Sequence, residues 1–327
     1  MANRPLILKF LCVLLLAGNL TSCGGGGSST ASQTTTTVTT PAAPAPTSNS
    51  GPTTADLGVG PQATGNTATD GLNWINFRRQ QLGEPALLRT ATIDKAALAH
   101  SDYQQRNNII THAEVAGNPG FTGVSVGDRL SAANYRFSAP SYAFGEVISS
   151  TVDPSGLNAA EELITAIYHR FAIFEPMFRQ AGSGAAVSPT SRTYLTLDFT
   201  IDGLTTTLGK SNFVVYPVDQ QRGLPTVFFS DFESPDPVPD RNEVGYPVSI
   251  HADITSNVVV QSFTIRPRNG ASLPTVLLQN STDVHTPASS AAIVPRDVLT
   301  AATTYDVQFA GTVDGTTVSR AWSFTTR

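Results

Sequence analysis

Cysteine is scarce in this sequence. Only two occur among 327 residues, Cys12 and Cys23, and both precede the part of the chain with a globular composition. Cys12 falls in an apolar stretch with the character of a secretory leader, and Cys23 ends that stretch. The remaining chain has no thiol. This excludes disulfides, a cysteine nucleophile and a thiolate zinc site from its folded part.

Several other features are missing as well. The formal net charge is only −5, and no basic stripe occurs, so nucleic acid is not an expected partner. No segment shows a phosphate-binding P-loop, a dinucleotide-binding glycine pattern, a zinc-protease helix or a serine-hydrolase elbow. No repeat of 20–50 residues is visible. These absences exclude the classes of protein that short motifs usually identify.

The first 23 residues predict export. Arg4 and Lys9 precede an apolar run from Phe10 to Ala17, which is shorter than the roughly 20 residues needed to span a bilayer. Leu20-Thr21-Ser22-Cys23 then resembles the lipobox of bacterial lipoproteins, which implies cleavage before Cys23 and lipid on its sulfur. An ordinary signal peptide with an incidental cysteine is the alternative. Gly24 follows instead of the aspartate of an inner-membrane retention signal, so we expect an outer-membrane or surface location in the cell envelope.

Composition divides the rest of the chain into three segments. Residues 24–69 are rich in Gly, Ser, Thr, Ala and Pro and carry one charge, which predicts a disordered tether. Residues 70–203 show mainly helical patterns, with a first helix beginning near Asp70 and a glycine turn at 182–184. Residues 213–327 show short alternating strand patterns. We expect the last two segments to form domains with separate cores, and an α+β protein overall.

Motifs across residues 70–203 resemble, in order and spacing, the CAP superfamily, which is named after cysteine-rich secretory proteins, antigen 5 and pathogenesis-related proteins. The matching segments are Asn76-Phe77-Arg78, Leu82-Gly83, Ala99-His100, Ile110-Thr111-His112, Asp128-Arg129-Leu130, Ala133-Asn134-Tyr135, Gly145-Glu146-Val147-Ile148, His169-Arg170 and Asp198-Phe199. The resemblance implies an α-β-α sandwich with a cleft lined by two histidines and two glutamates.

Three of the four cleft positions are filled in this sequence, by His112, Glu146 and His169. Animal and plant members place the fourth residue, a glutamate, one turn before the second histidine, where this chain has Ala166; Glu162 is a distant substitute. Two imidazoles and a carboxylate are suitable ligands for a divalent cation such as zinc. Without metal, the same three residues could bind a polar ligand, or they could form a buried network that joins helix to sheet.

The other histidines are less suggestive. His100 lies on an apolar helix face and is expected in the core, whereas His251 and His285 fall in the strand-rich segment and are expected at the surface. That segment ends in a hairpin pattern with Asp314-Gly315 at its turn. Together with Trp322-Ser323-Phe324-Thr325-Thr326, the pattern resembles bacterial Ig-like sandwiches, which identifies a fold but no ligand.

Two functions are compatible with this sequence. The first is a lipid-anchored binding or interaction module whose cleft, lined by His112, Glu146 and His169, holds a small lipid, a polysaccharide or another cell-wall ligand. The second is an extracytoplasmic hydrolase in which a metal held by the same residues activates water. The missing second acid at Ala166 favours the binding module.

Overall fold

The structure is a computed structural model that describes residues 10–18, 47–48 and 60–327. Cys23 and most of the predicted tether lie outside the described residues. The first region contains β1 (Phe10–Gly18), β2 (Thr47–Ser48), α1 (Thr67–Gln81), β3 (Leu88–Arg89), α2 (Ala91–Asn107), α3 (Val126–Ala132), β4 (Ser141–Thr151), α4 (Gly156–Thr165), α5 (Ile167–Ile173), β5 (Gln180–Val187) and β6 (Thr193–Asp202).

The second region consists of strands. They are β7 (Val214–Tyr216), β8 (Gln221–Leu224), β9 (Val227–Phe229), β10 (Glu233–Ser234), β11 (Glu243–Gly245), β12 (Val248–His251), β13 (Val258–Pro267), β14 (Thr275–Gln279), β15 (Ser290–Pro295), β16 (Thr304–Val313) and β17 (Thr316–Thr326), with a short 3-10 turn at Ser230–Phe232. The first region thus combines helices with a mainly antiparallel sheet and the second region consists of strands, which confirms the α+β class.

Helix α1 begins earlier than the sequence suggested. Its N-cap is Asn66, whose side chain accepts a hydrogen bond from the backbone N–H of Thr69. Asp70, the expected start, instead lies in the first turn and accepts hydrogen bonds from Thr64 and from the backbone of Gly65. Both side chains satisfy N–H groups that a helix start leaves unpaired or bare, so they fix the chain entering the fold.

The glycines at 182 and 184 do not form a turn but lie within strand β5. A Cβ atom on Gly182 would lie 2.2 Å from the backbone nitrogen of Asp94, and one on Gly184 would lie 2.1 Å from that of Leu98. Both clashes are with the backbone of helix α2, so α2 rests directly on the strand. Only glycine permits this close approach.

The central sheet has the strand order β10-β1-β4-β6-β5-β3 and two chemically different faces. Along β6, the side chains of Leu195, Leu197 and Phe199 belong to the apolar cluster that includes residues of α1, α4 and α5. The alternate residues face α2, where Thr196 accepts a hydrogen bond from Ser101 at 3.0 Å and Thr200 bonds the hydroxyl of Tyr135. Because side chains alternate along a strand, one sheet presents a dry face and a polar face.

Strand β1 lies at the outer side of β4. It pairs antiparallel with β4 from Leu11 opposite Ile148 to Gly18 opposite Ser141, with Val13 opposite Glu146. Its first two residues pair parallel with Glu233 and Ser234. The apolar segment that the sequence assigns to a leader therefore runs past the middle of β4. Among the described residues, no helix combines the length and apolar character needed to cross a membrane.

The second region is a sandwich of two antiparallel sheets, the arrangement expected of an Ig-like domain. One sheet has the order β14-β15-β12-β7, and the other contains β13, β16 and β17, with β8 paired to β17. The predicted hairpin turn is confirmed: Asp314 and Gly315 both have positive φ between β16 and β17, as a type I′ turn requires. His251 is fully buried against Phe171 and Phe174 of the first region, so its expected surface position was wrong.

The two regions share one core. A continuous cluster of buried apolar residues runs from Leu72 in α1 to Phe324 in β17, contrary to the separate cores expected from sequence. Arg170 of α5 crosses the junction: its guanidinium donates to the carbonyl of Pro247 at 2.7 Å and lies 5.0 Å from the rings of Tyr216 and Tyr246. The helical pattern could not reveal the shared core. Every residue of α5 is buried, so no exposed face marks the side that packs against the second region.

Helix α5 receives its N-terminal cap from the second region. Its own N-cap residue, Ala166, has no side-chain acceptor. The carboxylate of Glu233 fills that role by accepting from the backbone N–H groups of Ile167, Tyr168 and His169 at 2.6–3.1 Å. A carboxylate at a helix start also interacts favourably with the helix dipole. Glu233 thus fixes both the start of α5 and the docking of the two regions.

We expect Glu233→Ala to destabilise the whole protein, because three buried N–H groups and His169 would lose their acceptor. The free energy of unfolding should fall by about 3 kcal/mol or more, measured by urea denaturation. Glu243→Ala, which removes an exposed glutamate from β11, is the matched control and should change little. An equal, small effect of both substitutions would show that α5 does not depend on Glu233.

Candidate functional site

The site begins with one carboxylate on the polar face of the sheet. Glu146, in the middle of β4, is fully buried, and both of its oxygens are engaged. His112 Nδ1 lies 2.6 Å from Oε1, and Arg129 Nη2 of α3 donates to Oε2 at 2.6 Å. Arg129 also donates to the backbone carbonyl of His112 at 2.8 Å. Three segments far apart in sequence thus meet at Glu146.

Charge states in this group follow from its surroundings. Burial alone would raise the pKa of Glu146, but Arg129, His100 and the hydrogen bond from His112 hold it well below its usual range. Burial lowers the pKa of His112, despite the opposing effect of Glu146, so this imidazole is neutral near pH 7. An ionised carboxylate only accepts, so the single hydrogen of His112 lies on Nδ1. Its Nε2 is a bare acceptor.

Asp198 adds a second carboxyl group to the site. It lies on β6 directly opposite Glu146 in the register of the two strands. Burial and the neighbouring Glu146 carboxylate raise its pKa well above the usual range, although Arg129 opposes this. The raised pKa favours the neutral, protonated form of Asp198 beside the Glu146 carboxylate. The sequence showed Asp198 only as part of a resemblance, and nothing indicated its partner.

A second buried pair holds the loop that carries His112. His100 of α2 places Nδ1 2.8 Å from Glu114 Oε1 and Nε2 2.7 Å from the carbonyl of Thr111. Glu114 also accepts from the backbone N–H groups of Thr122 and Gly123. Both ring nitrogens of His100 thus face oxygen atoms, which fixes the orientation of the ring. His100 is buried, as expected, but it binds polar partners rather than filling apolar space.

His169 pairs with a different carboxylate from the one that pairs with His112. Its Nδ1 lies 2.9 Å from Glu233 Oε1, the carboxylate that also caps its helix. It remains close enough for its charge to lower the pKa of His112. The two histidines have different partners because they come from different sides of the sheet. Helix α5, which carries His169, packs with the apolar face, whereas His112 and Glu146 meet on the polar face. The structure therefore joins His112 to Glu146 and His169 to Glu233.

The fourth carboxylate that the resemblance implies is supplied in space by Glu233. Ala166, at the position usual for it, is the buried N-cap of α5. Glu162 is exposed and lines a shallow cavity of about 410 Å³ with Thr151 and Phe229. Glu233 lies 64 residues beyond His169, in the other region. Sequence reasoning missed it because no local spacing relates the two residues.

These residues do not fit a resident metal ion. Among the described residues, no group of three or more His, Cys, Asp or Glu side chains is arranged to hold one. Both oxygens of Glu146 are already bonded, and the guanidinium of Arg129 places a fixed positive charge where a cation would bind. A zinc ligand set needs its donors free and converging on one point. We therefore derive no chemistry from a metal here.

The opposite charge states of the two carboxyl groups predict opposite responses to amide substitution. Asp198→Asn should cost less than about 1 kcal/mol in the free energy of unfolding, because the amide is uncharged, like the protonated acid that it replaces beside Glu146. Glu146→Gln should cost about 3 kcal/mol or more, because it leaves buried Arg129 without its carboxylate. Urea denaturation at pH 7 measures both. A larger loss for Asp198→Asn than for Glu146→Gln would contradict the assigned charges.

Comparison with known proteins agrees with the fold of the first region. The profile of the cysteine-rich secretory protein family, CAP, matches residues 72–199. No curated protein matches the chain. One similar solved structure is an extracellular protein containing an SCP domain from Bacillus anthracis, at 21% identity and a TM-score of 0.35, covering 43% of this chain and 44% of that one. This chain thus spans less than half of that protein's length.

A second similar structure is an outer surface protein from Borrelia burgdorferi, at 15% identity and a TM-score of 0.34. The alignment covers 40% of this chain and 90% of that one. The family match falls on the segment in which the sequence motifs, the central sheet and its covering helices coincide. Residues 72–199 of this chain are a CAP domain of the cysteine-rich secretory protein family.

Proposed function

We propose that this protein is a lipid-anchored binding module of the bacterial cell surface, with a polar His/Glu cleft in its CAP domain. The observation that carries the proposal is the state of His112. Within the described part of the chain, its Nε2 atom has no hydrogen-bond partner, although it is buried. The His112 side chain is 9% exposed, whereas Glu146 beside it is fully enclosed. A buried acceptor just beneath the surface is suited to a ligand that donates a hydrogen bond.

The chemistry of this acceptor limits the kinds of ligand that it can bind. Neutral Nε2 with its proton fixed on Nδ1 accepts from a hydroxyl or an amine but repels another bare acceptor. Ionised Glu146 holds the ring in this tautomer, as carboxylates do for histidines in many sites. A hydroxyl-bearing group, such as the sugar of a polysaccharide or the head group of a lipid, has the required donor. His169, held by Glu233, lies near the same cleft.

Membrane attachment through Cys23 completes the proposal. Cleavage before Cys23 removes the segment that pairs with β4 opposite Glu146. The outer edge of β4 would then be open next to the His112–Glu146 pair, and the approach to the cleft would widen. Lipid on Cys23 would hold the folded part near the membrane. Export thus both places the protein and exposes its site.

The alternative function is an extracytoplasmic hydrolase that uses the same cleft. It is favoured by the opposite pKa shifts of Glu146 and Asp198, since such pairs often mark an acid and a base. The position of Asp198 argues against it. This acid is fully buried between sheet and helix, where it supports Glu146, and Arg129 occupies the place of an activating cation. Binding therefore requires less of this site than hydrolysis does.

We expect Cys23→Ala to release the protein from the membrane fraction without changing its fold. The reason is that the proposed acyl chains would be its attachment to the bilayer. Fractionation of cells that express each form, with circular dichroism of the purified folded parts, measures both effects. Tight membrane association of the Ala variant would show that the anchor lies elsewhere.

The cleft is tested by two substitutions of His112 in the protein beginning at residue 24. Asn reproduces the Nδ1 donor but removes the Nε2 acceptor, whereas Gln places an amide nearer to Nε2. We expect His112→Asn to retain the fold and to weaken binding of the envelope polysaccharide or lipid fraction by about tenfold. His112→Gln, the control, should retain more of that binding.

Metal analysis of the same preparations separates the two functions. We expect no stoichiometric zinc in the purified protein, because both oxygens of Glu146 are bonded and Arg129 places a positive charge beside them. Stoichiometric zinc that disappears in the His112→Asn variant would instead support the hydrolase. Unchanged binding by both His112 variants would contradict a ligand at Nε2.

A further inference from the structure

We infer that the outer face of the second sheet in the strand-rich region binds an acidic oligosaccharide. This face is formed by β13, β16, β17 and β8, and it contains a cavity of about 680 Å³. Its size falls within the range of sites for small ligands. The inference does not depend on His112, because the two sites lie in different regions of the chain.

Arginines form both sides of this cavity. Arg266 lies on β13 and Arg268 just after its end, and Arg222 lies on β8 at the opposite side. The strands between them have small outward residues, Ala321, Ser323 and Thr325 of β17. Three strand spacings separate β13 from β8, about 14 Å in all. The cavity is therefore a trough. Its floor consists of these small side chains, and each of its two edges, called banks below, carries a guanidinium group.

The register of the strands brings these groups into line. Arg266 is opposite Asp306 of β16, and Asp306 is opposite Ser323 of β17. One step along, Thr304 is opposite Thr325, which is in turn opposite Arg222. The hydroxyls of Thr304 and Thr325 lie 3.0 Å apart. Two rows of polar side chains therefore cross the sheet from one bank to the other.

The free hydrogen-bonding capacity of the trough consists mainly of cationic donors. Both carboxylates that line it are engaged: Asp306 accepts from Arg268 at 2.8 Å, and Asp219 accepts from the backbone N–H of Ser323 at 2.9 Å. Within residues 60–327, Arg222 and Arg266 make no ion pair, and both are exposed. These unpaired guanidinium groups make the face locally positive, although the net charge of the chain is −5.

These features favour an acidic sugar chain over other ligands. Guanidinium groups bind carboxylates through two parallel hydrogen bonds, which gives them geometric selectivity for such anions. The threonine and serine hydroxyls between the banks can exchange hydrogen bonds with sugar hydroxyls. Apart from Ala321, Val307 and Trp322, the residues that line the cavity are polar or charged, and Val307 and Trp322 are almost fully buried, so the face offers little apolar surface to a peptide side chain. A carboxylate-bearing oligosaccharide matches both the banks and the floor.

The test uses a short oligogalacturonate as the acidic probe and a neutral malto-oligosaccharide of equal length. Isothermal titration of the protein beginning at residue 24 should show binding of the acidic probe alone. The variant Arg222→Gln/Arg266→Gln should bind it about tenfold more weakly or not at all, since each substitution removes a charge-assisted contact. Binding should weaken with salt but persist at physiological ionic strength.

The matched control is Lys95→Gln/Lys210→Gln, which removes the same two charges from exposed positions outside the trough. It should bind the acidic probe as the wild type does. Three results would overturn the proposal: no binding by the wild type, equal binding of the neutral probe, or an equal loss in the lysine control. The last result would mean that net charge alone attracts the probe.

Discussion

The structure depends on one carboxylate that completes a helix from another part of the chain. Glu233 accepts three backbone N–H groups at the start of α5, where Ala166 has nothing to offer. The same carboxylate orients His169. With α5 placed, Arg170 reaches the carbonyl of Pro247, and the apolar residues of both regions form one core. A helix of seven residues has little stability of its own, so its position must come from such contacts.

On the polar face of the CAP sheet, the buried charges balance one another. Arg129, Glu146 and protonated Asp198 together carry no net charge, and every charged member has a bonded partner. Buried charges are tolerated only in this paired form. Among the described residues, the atoms of this cluster without a hydrogen-bond partner include Nε2 of His112, Nε of Arg129 and both oxygens of Asp198. Of the residues that carry them, His112 is the one whose side chain reaches the surface, at 9% exposure, while Glu146 fixes its ring.

The fold was more predictable than the site, for physical reasons. Residue types and spacing predicted α1, α2 and the hairpin at Asp314-Gly315, while α4 and α5 were expected as one helix. His112, Glu146 and His169 were proposed together from the family resemblance, and the structure pairs His112 with Glu146. Glu233 was invisible, since its partner His169 is 64 residues away and no periodicity links them. The burial of His251 was missed for the same reason: its cover, Phe171 and Phe174, comes from the other region. Contacts between regions leave no signature in either region's pattern.

The cap on α5 also sets an order of events during folding. Because a chain is synthesised from its N-terminus, all of residues 72–199 are made before Glu233. Until then, the first turn of α5 has unpaired N–H groups, and the apolar side of the helix has only part of its cover. Closing the loop between α5 and Glu233 costs conformational entropy before the contacts that it brings together can form. The CAP domain therefore reaches its final form late, when the second region folds onto it.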